Sequence, residues 1–275
     1  METGNLSLHN LKKTYRNKTA VNISSLSIQP RTFTCIVGKS GCGKTTLLRL
    51  LARLELPDVE EKADNASSER GALNAANHDM SVNNAKKGAN ATQSITGLPA
   101  KTAPVFQEPR LMPWLTVKEN IMFSLKGTEE SARHSEPSPS PEEHCNQLLR
   151  ELELTDAANL YPAQLSGGMA QRVSLGRTLF YDPELILMDE PFSALDYFTR
   201  RNLQDMVLRL FHHQKKTILF VTHDVEEALL LGDRILVMEN GSIKADMPVS
   251  LPFPRKAADP SLQDMRQRIL DLLAE

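Results

Sequence analysis

Phe33-Thr34-Cys35-Ile36-Val37-Gly38-Lys39-Ser40-Gly41-Cys42-Gly43-Lys44-Thr45-Thr46 passes from a mostly apolar run, through a glycine-rich turn, into an apolar-periodic segment reaching Leu54. That order predicts a strand, a loop and a helix over Thr46 to Leu54. Gly38 to Thr45 fits the pattern G-x-x-x-x-G-K-[ST] in full. The pattern has a mechanism: glycines let the backbone curl so that its N–H groups point inward at phosphate oxygens. The helix N-terminus adds a partial positive charge. Gly38, Lys39, Ser40, Gly41, Cys42, Gly43, Lys44, Thr45 and Thr46 are therefore candidate contacts to a nucleoside triphosphate. Lys44 can reach the β- and γ-phosphates, and the Thr45 hydroxyl suits a Mg²⁺ ligand. The competing reading, a glycine-rich turn that binds nothing, is disfavoured by the position between strand and helix. Cys42, lying inside the loop, is expected to make turnover sensitive to thiol alkylation, with ATP protecting.

Two later runs belong with this loop. Leu185-Ile186-Leu187-Met188 is continuously apolar, as a buried central strand should be, and ends in Asp189-Glu190. In an open parallel sheet such acids emerge at the carboxyl end, beside the phosphate loop. Asp189 is expected in the Mg²⁺ sphere. Glu190 is expected to polarise the attacking water as general base, a role worth ~10²–10⁴-fold. Thr217 to Val221 repeats the pattern and ends in Thr222-His223-Asp224, which makes His223 a candidate γ-phosphate sensor. A solvated acidic strand end and a structural histidine are the competing readings. Each is weakened by the company of the loop.

Outward from these runs, strands alternate with helices. Helices are expected near Glu142 to Leu152, Gly168 to Phe180 and Val225 to Leu231, with a strand at Arg234 to Met238. This implies an α/β fold with a mainly parallel central sheet flanked by helices. Leu262 to Leu273 has helical periodicity, with Met265, Ile269 and Leu272 on one face. Residues 57–103 are rich in Asn, Ala, Ser, Lys and Gly and read as a polar loop unable to offset its own ordering entropy. Residues 127–141, with Pro137-Ser138-Pro139-Ser140-Pro141, read as a Pro/Ser-rich connector. The expected organisation is one domain over 1–255 carrying both inserts, with a helical tail at 256–275.

Composition removes some functions. Lys and Arg number 32 against 34 Asp and Glu, so no overall field favours nucleic acid or an anionic membrane. The three cysteines, Cys35, Cys42 and Cys145, lack metal-ligand spacing and suit reduced thiols of a cytosolic protein. Met1 to Asn10 shows no basic flank followed by an apolar run, so no secretory signal is expected. No stretch approaches the ~20 apolar residues of a membrane helix. A membrane role would need another chain to do the spanning.

Leu165-Ser166-Gly167-Gly168-Met169-Ala170-Gln171-Arg172 resembles the LSGGQ-type signature of ATP-binding-cassette ATPases, with Met169 where glutamine is usual. Ser166 and the glycines would open a helix and form a second anion site. The resemblance implies a P-loop fold with a helical signature subdomain and an antiparallel β subdomain. The latter is expected in reduced form, since 57–103 shows no clear strand pair and Arg53 replaces a usual glycine. It also implies that Ser166, Gly167 and Gly168 face the γ-phosphate held by an opposite subunit. Gln107 resembles the glutamine that senses Mg²⁺ and the membrane partner, Ser193-Ala194-Leu195-Asp196 the loop coupling two sites, and Tyr15 the ring stacked on adenine.

Val105 to Trp114, His223 to Ala228 and Leu251-Pro252-Phe253-Pro254-Arg255 resemble importer ATPases for nitrate, sulfonates, taurine and related solutes. The resemblance implies an ATP- and Mg²⁺-dependent hydrolase working as a dimer, on the cytoplasmic face of the inner membrane. Its implied partners are a second ATPase subunit, a transmembrane permease and, indirectly, a solute-binding protein. The Trp114 region is where the family docks its permease. The alternative is a soluble cassette ATPase acting on nucleic acid or ribosomes. Such proteins usually carry two cassettes or coiled-coil inserts, and no nucleic acid partner is expected.

Overall fold

The computed structural model describes residues 5–58, 94–127 and 140–274. The strand-loop-helix expectation corresponds to β3 (Phe33–Val37) and α1 (Lys44–Leu51). β3 is buried along its whole length. It is central in a sheet ordered β5-β6-β7-β3-β8-β9, built with β5 (Thr102–Val105), β6 (Leu185–Asp189), β7 (Thr217–Thr222), β8 (Arg234–Glu239) and β9 (Ser242–Pro248). The pairings from β5 through β8 are parallel, and β9 returns antiparallel to β8. The parallel register puts Val37 beside Thr222, and Asp189 beside Val221. The phosphate loop, the acid pair and the histidine thus leave the sheet at the carboxyl end of its parallel strands.

Both sheet faces are covered. One face carries Phe33, Val105, Ile186 and Phe220 into a core shared with α2 (Val117–Ile121), α3 (Pro141–Glu151), α4 (Gly167–Phe180), α5 (Tyr197–Gln214), α6 (Val225–Leu231) and α7 (Pro260–Ala274). Leu262 and Ile269 anchor α7 to that core. The other face packs Ile36, Leu187 and Leu236 against α1 and a second sheet, ordered β2-β1-β4. Its long hairpin is β1 (Leu6–Tyr15) and β2 (Lys18–Ile28), with a register shift at Lys13/Thr14. The alternation of Leu6, Leu8 and then Leu11 is the inward face.

Several expectations are corrected. The stretch 57–103 is not wholly loop: β4 (Ile95–Thr96) pairs antiparallel with β1, and β5 begins at Thr102. The antiparallel subdomain is therefore present with three strands, its third only two residues long. Such strands carry too few residues to show a periodicity. Residues 59–93 of that insert and 128–139 of the connector fall outside the described residues. Helix α1 begins at Lys44 and ends at Leu51, short of Leu54. Arg53 turns to φ 56° and Leu54 N–H donates back to the Arg49 carbonyl at 2.9 Å, the geometry of a Schellman ending. Strand β9 and helix α5 are additions to the elements expected from the sequence. α5 has a readable signal, an N-cap at Asp196 and inward positions Leu203, Met206, Val207 and Phe211, interrupted by polar and basic pairs.

Candidate nucleotide site

The loop between β3 and α1 has the backbone its sequence demands. Gly41 and Gly43 take φ 76° and 110°, values that β-carbons resist. A β-carbon on Gly43 would meet the Ala20 carbonyl at 2.0 Å, so this glycine also allows the antiparallel sheet to close on the loop. Around Gly41 there is open space. Lys44 is buried, and its ammonium donates to the Gly38 carbonyl at 2.8 Å and the Lys39 carbonyl at 3.2 Å. The cation is thus curled inside its own loop.

Cys42 corrects an expectation. The residue is 7 % exposed and belongs to the buried cluster that holds Ile36, Leu47 and Met238, with its Sγ 4.0 Å from Lys44 Nζ, so ready alkylation is not supported. The sequence places the residue in the loop but gives no direction for its side chain.

At the end of β6, the Thr45 hydroxyl and Asp189 Oδ1 lie 3.1 Å apart. Burial pushes the Asp189 carboxyl above its ordinary range; the neighbouring Glu190 charge adds to this and the Thr45 hydrogen bond opposes it. A desolvated carboxylate beside a hydroxyl is a hard-oxygen pair that a divalent cation relieves, so these residues fit Mg²⁺. Gln107 lines the same cleft, of about 480 Å³, together with Thr45, Arg49, Glu55 and Asp189.

Glu190 follows with φ 44°, an uncommon conformation for a residue bearing a side chain. It is held there from several sides. Its N–H donates to the Val221 carbonyl at 2.9 Å, and its carbonyl accepts from the Ser193 hydroxyl at 3.0 Å. Glu190 Oε2 lies 2.9 Å from His223 Nδ1, from the neighbouring strand end. The pair fits a carboxylate that orients water next to an imidazole able to donate or accept.

Tyr15 lies at the end of β1, 42 % exposed, its hydroxyl donating to Glu55 and interacting with Thr46 at the start of α1. Burial and then the Glu55 carboxylate raise the phenol above its ordinary range. The fold thus brings it to the flank of the phosphate loop. Ser166, Gly167 and Gly168 are held apart, at the N-terminus of α4. Ser166 caps that helix by accepting from Met169 N–H at 3.3 Å. A β-carbon on Gly167 would meet only Leu195, and one on Gly168 would strike Thr199 at 2.4 Å, so the Ser193–Asp196 turn lies alongside.

Sequence reasoning missed the residues that link these parts. Gln171 Nε2 donates to the Phe106 carbonyl at 3.2 Å, and Arg177 donates to the Pro109 and Arg110 carbonyls at 3.0 Å each. Fully buried Asn120 accepts from Met112 N–H and donates to the carbonyls of Met112, Leu115 and Thr116, fixing a loop that holds Trp114 69 % exposed. The signature helix therefore grips the chain that carries Gln107. Polar residues among apolar ones in α2 and α4 were the available signal.

Residues 21–193 match the family model described as ABC transporter. Over 272 residues the chain is 38 % identical to the aliphatic sulfonates import ATP-binding protein SsuB of Granulibacter bethesdensis, covering 99 % of this chain and 95 % of that relative. It is 35 % identical over 257 residues to the protein of the same name from Bacillus subtilis, covering 93 % and 87 %. The fold is similar to the dimeric post-hydrolysis state of the ATP-binding cassette MJ0796 bound to ADP and Pi. The TM-score is 0.65 at 29 % identity, covering 90 % of this chain and all of that one.

Proposed function

The chain belongs to the ABC transporter family, and from that premise we propose that its candidate site hydrolyses ATP to drive import of a small organic sulfonate through a separate permease. The observation that carries the site reading is the Glu190–His223 contact of 2.9 Å at adjacent strand ends beside the phosphate loop. ATP phosphates enter the loop, and Lys44 exchanges its two carbonyl partners for phosphate oxygens. That exchange replaces neutral acceptors with charged ones, which make stronger hydrogen bonds. Glu190 orients the attacking water and accepts its proton, while His223 holds the carboxylate and meets the γ-phosphate. Thr45 and Asp189, with Gln107 nearby, would hold Mg²⁺, which supplies charge neutralisation on the phosphates. Tyr15 stacks on the base.

The signature residues Ser166, Gly167 and Gly168 serve a second copy of the chain, closing on the nucleotide held there. Residues 1–255 form the cassette, with insertions inside 57–103 and 127–141 and with 256–275 as a tail. The exposed Trp114 loop supports a permease contact on the cytoplasmic face of the membrane, and the sulfonate reaches that permease from a solute-binding protein. The test is ATPase activity of the tagged chain purified with its membrane partners in detergent, with and without sulfonate-loaded binding protein. Stimulation by the loaded binding protein is expected. Purification free of any permease, with turnover answering to nucleic acid or ribosomes, would overturn the importer reading.

A further inference from the structure

Glu227 is a carboxylate that the proposed hydrolytic chemistry does not use, yet it is only 6 % exposed. It lies in the first turn of α6, one helical turn beyond His223. Asp224 caps that turn, accepting from the N–H groups of Glu226 at 2.9 Å and Glu227 at 3.2 Å. Glu227 Oε1 accepts from Gln204 Nε2 at 2.9 Å, and Gln204 is itself 5 % exposed on α5. The orientation of that amide is fixed, because Gln204 Oε1 accepts from Arg201 at 3.3 Å. The Thr222 hydroxyl lies beside the Glu227 carboxylate and stabilises its charge. The same hydroxyl oxygen accepts from Asp224 N–H at 3.0 Å, which leaves its proton for Glu227.

We propose that Glu227 is a positioning residue for ATP hydrolysis: through Thr222 it fixes the strand end that presents His223, and through Gln204 it ties that end to α5. One turn before Gln204, Arg200 donates to the Phe192 carbonyl at 3.2 Å and the Leu195 carbonyl at 2.9 Å, in the turn two to five residues past Glu190. The two sides of the Glu190–His223 pair are therefore braced against each other through one buried carboxylate. The inference rests on the reading of that pair as the hydrolytic centre.

The physical reason to assign a role is the cost of burial. Desolvation pushes the Glu227 carboxyl above its ordinary range, with the Thr222 and Gln204 hydrogen bonds opposing it. A glutamine of the same shape would keep the bond to Gln204 and carry no charge to desolvate. Removing the charge relieves that desolvation and offsets much of the cost of a lost hydrogen bond. What a glutamine cannot keep is two acceptor oxygens, one for Gln204 and one for the Thr222 hydroxyl.

Glu227→Gln in the full chain separates the two roles. Expected is a fall of about ten-fold in kcat with KM for ATP little changed, since only the transition-state geometry is loosened. Thermal stability should change little, since the relieved desolvation offsets the lost hydrogen bond. In a His223→Ala background the same substitution should add nothing, single-turnover rates being the readout. The exchange Glu227→Gln with Gln204→Glu keeps one acid and one amide but moves the acid from Thr222, and should not restore turnover. Full activity of Glu227→Gln, a loss of activity matched by a loss of stability, additivity with His223→Ala, or rescue by the exchange would each overturn the proposal. Full turnover by His223→Ala would remove the site reading along with it. An impaired His223→Ala beside a fully active Glu227→Gln would remove the Glu227 role alone.

Discussion

Glu190 takes φ 44° and is held there by Val221, Ser193 and His223, so a general-base candidate sits where the backbone stores strain. Motif spacing made Lys44, Thr45, Asp189, Glu190 and His223 legible, because each follows a strand whose apolar run is visible. Side-chain direction was not legible, and Cys42 shows why. A residue within a phosphate loop can face ligand or core, and neighbours distant in sequence decide which. Here Cys42 is buried in one cluster with Met238 and Leu47. Cys35 and Cys145 are also buried, and burial pushes the Cys145 thiol up to about 11. Burial shields all three thiols from reagent, so a native thiol titration at pH 8 should show no rapidly reacting group, and denaturation should release all three. Fast labelling of Cys42 with protection by ATP would contradict the buried orientation.

Among the elements, α1 ends where the chain resolves an awkward demand. Arg53 occupies the left-handed position after the helix, with its side chain exposed, and the Leu54 N–H closes the cap on the Arg49 carbonyl. Non-glycine residues lose about 1–2 kcal/mol in that region, while glycine costs more entropy on ordering. The net expectation for Arg53→Gly is a gain of about 0.5–1 kcal/mol. It should appear as a higher urea midpoint at unchanged slope; a lower midpoint would mean the arginine side chain contributes more than the cap geometry costs. The departure from the family's glycine was readable in sequence. That the cap forms regardless was not, because its hydrogen bonds depend on the chain after Leu51. Short β4 and polar β9 were illegible for a related reason, since pairing with β1 and β8 defines them more than their own residues do.

For the whole molecule, the phosphate loop and the signature helix of one chain are separate features, the first under β2 and β8, the second beside Leu195 and Thr199. On the proposed reading, in which the signature serves a second copy, completing two sites takes two chains. Glu190→Gln should keep ATP binding while slowing hydrolysis by ~10²-fold or more, and so accumulate an ATP-dependent dimer. Light scattering after size exclusion, with ATP and with ADP, checks this; a monomer under both, or rapid turnover, would sink the general-base assignment. The sequence by itself determined the α/β class, the phosphate loop, the acid pair, the histidine and the signature, because each is a local pattern of spacing whose chemistry is carried by consecutive residues. Tertiary structure alone decided that Cys42 points into the core, and that Gln171 and Arg177 grip the glutamine loop. It also decided that Asn120 holds out Trp114, and that the buried Glu227 carboxylate meets Gln204 of α5. Those contacts join residues far apart in the chain, and their hydrogen bonds exist only once the two cores have packed and set the strand and helix ends in place.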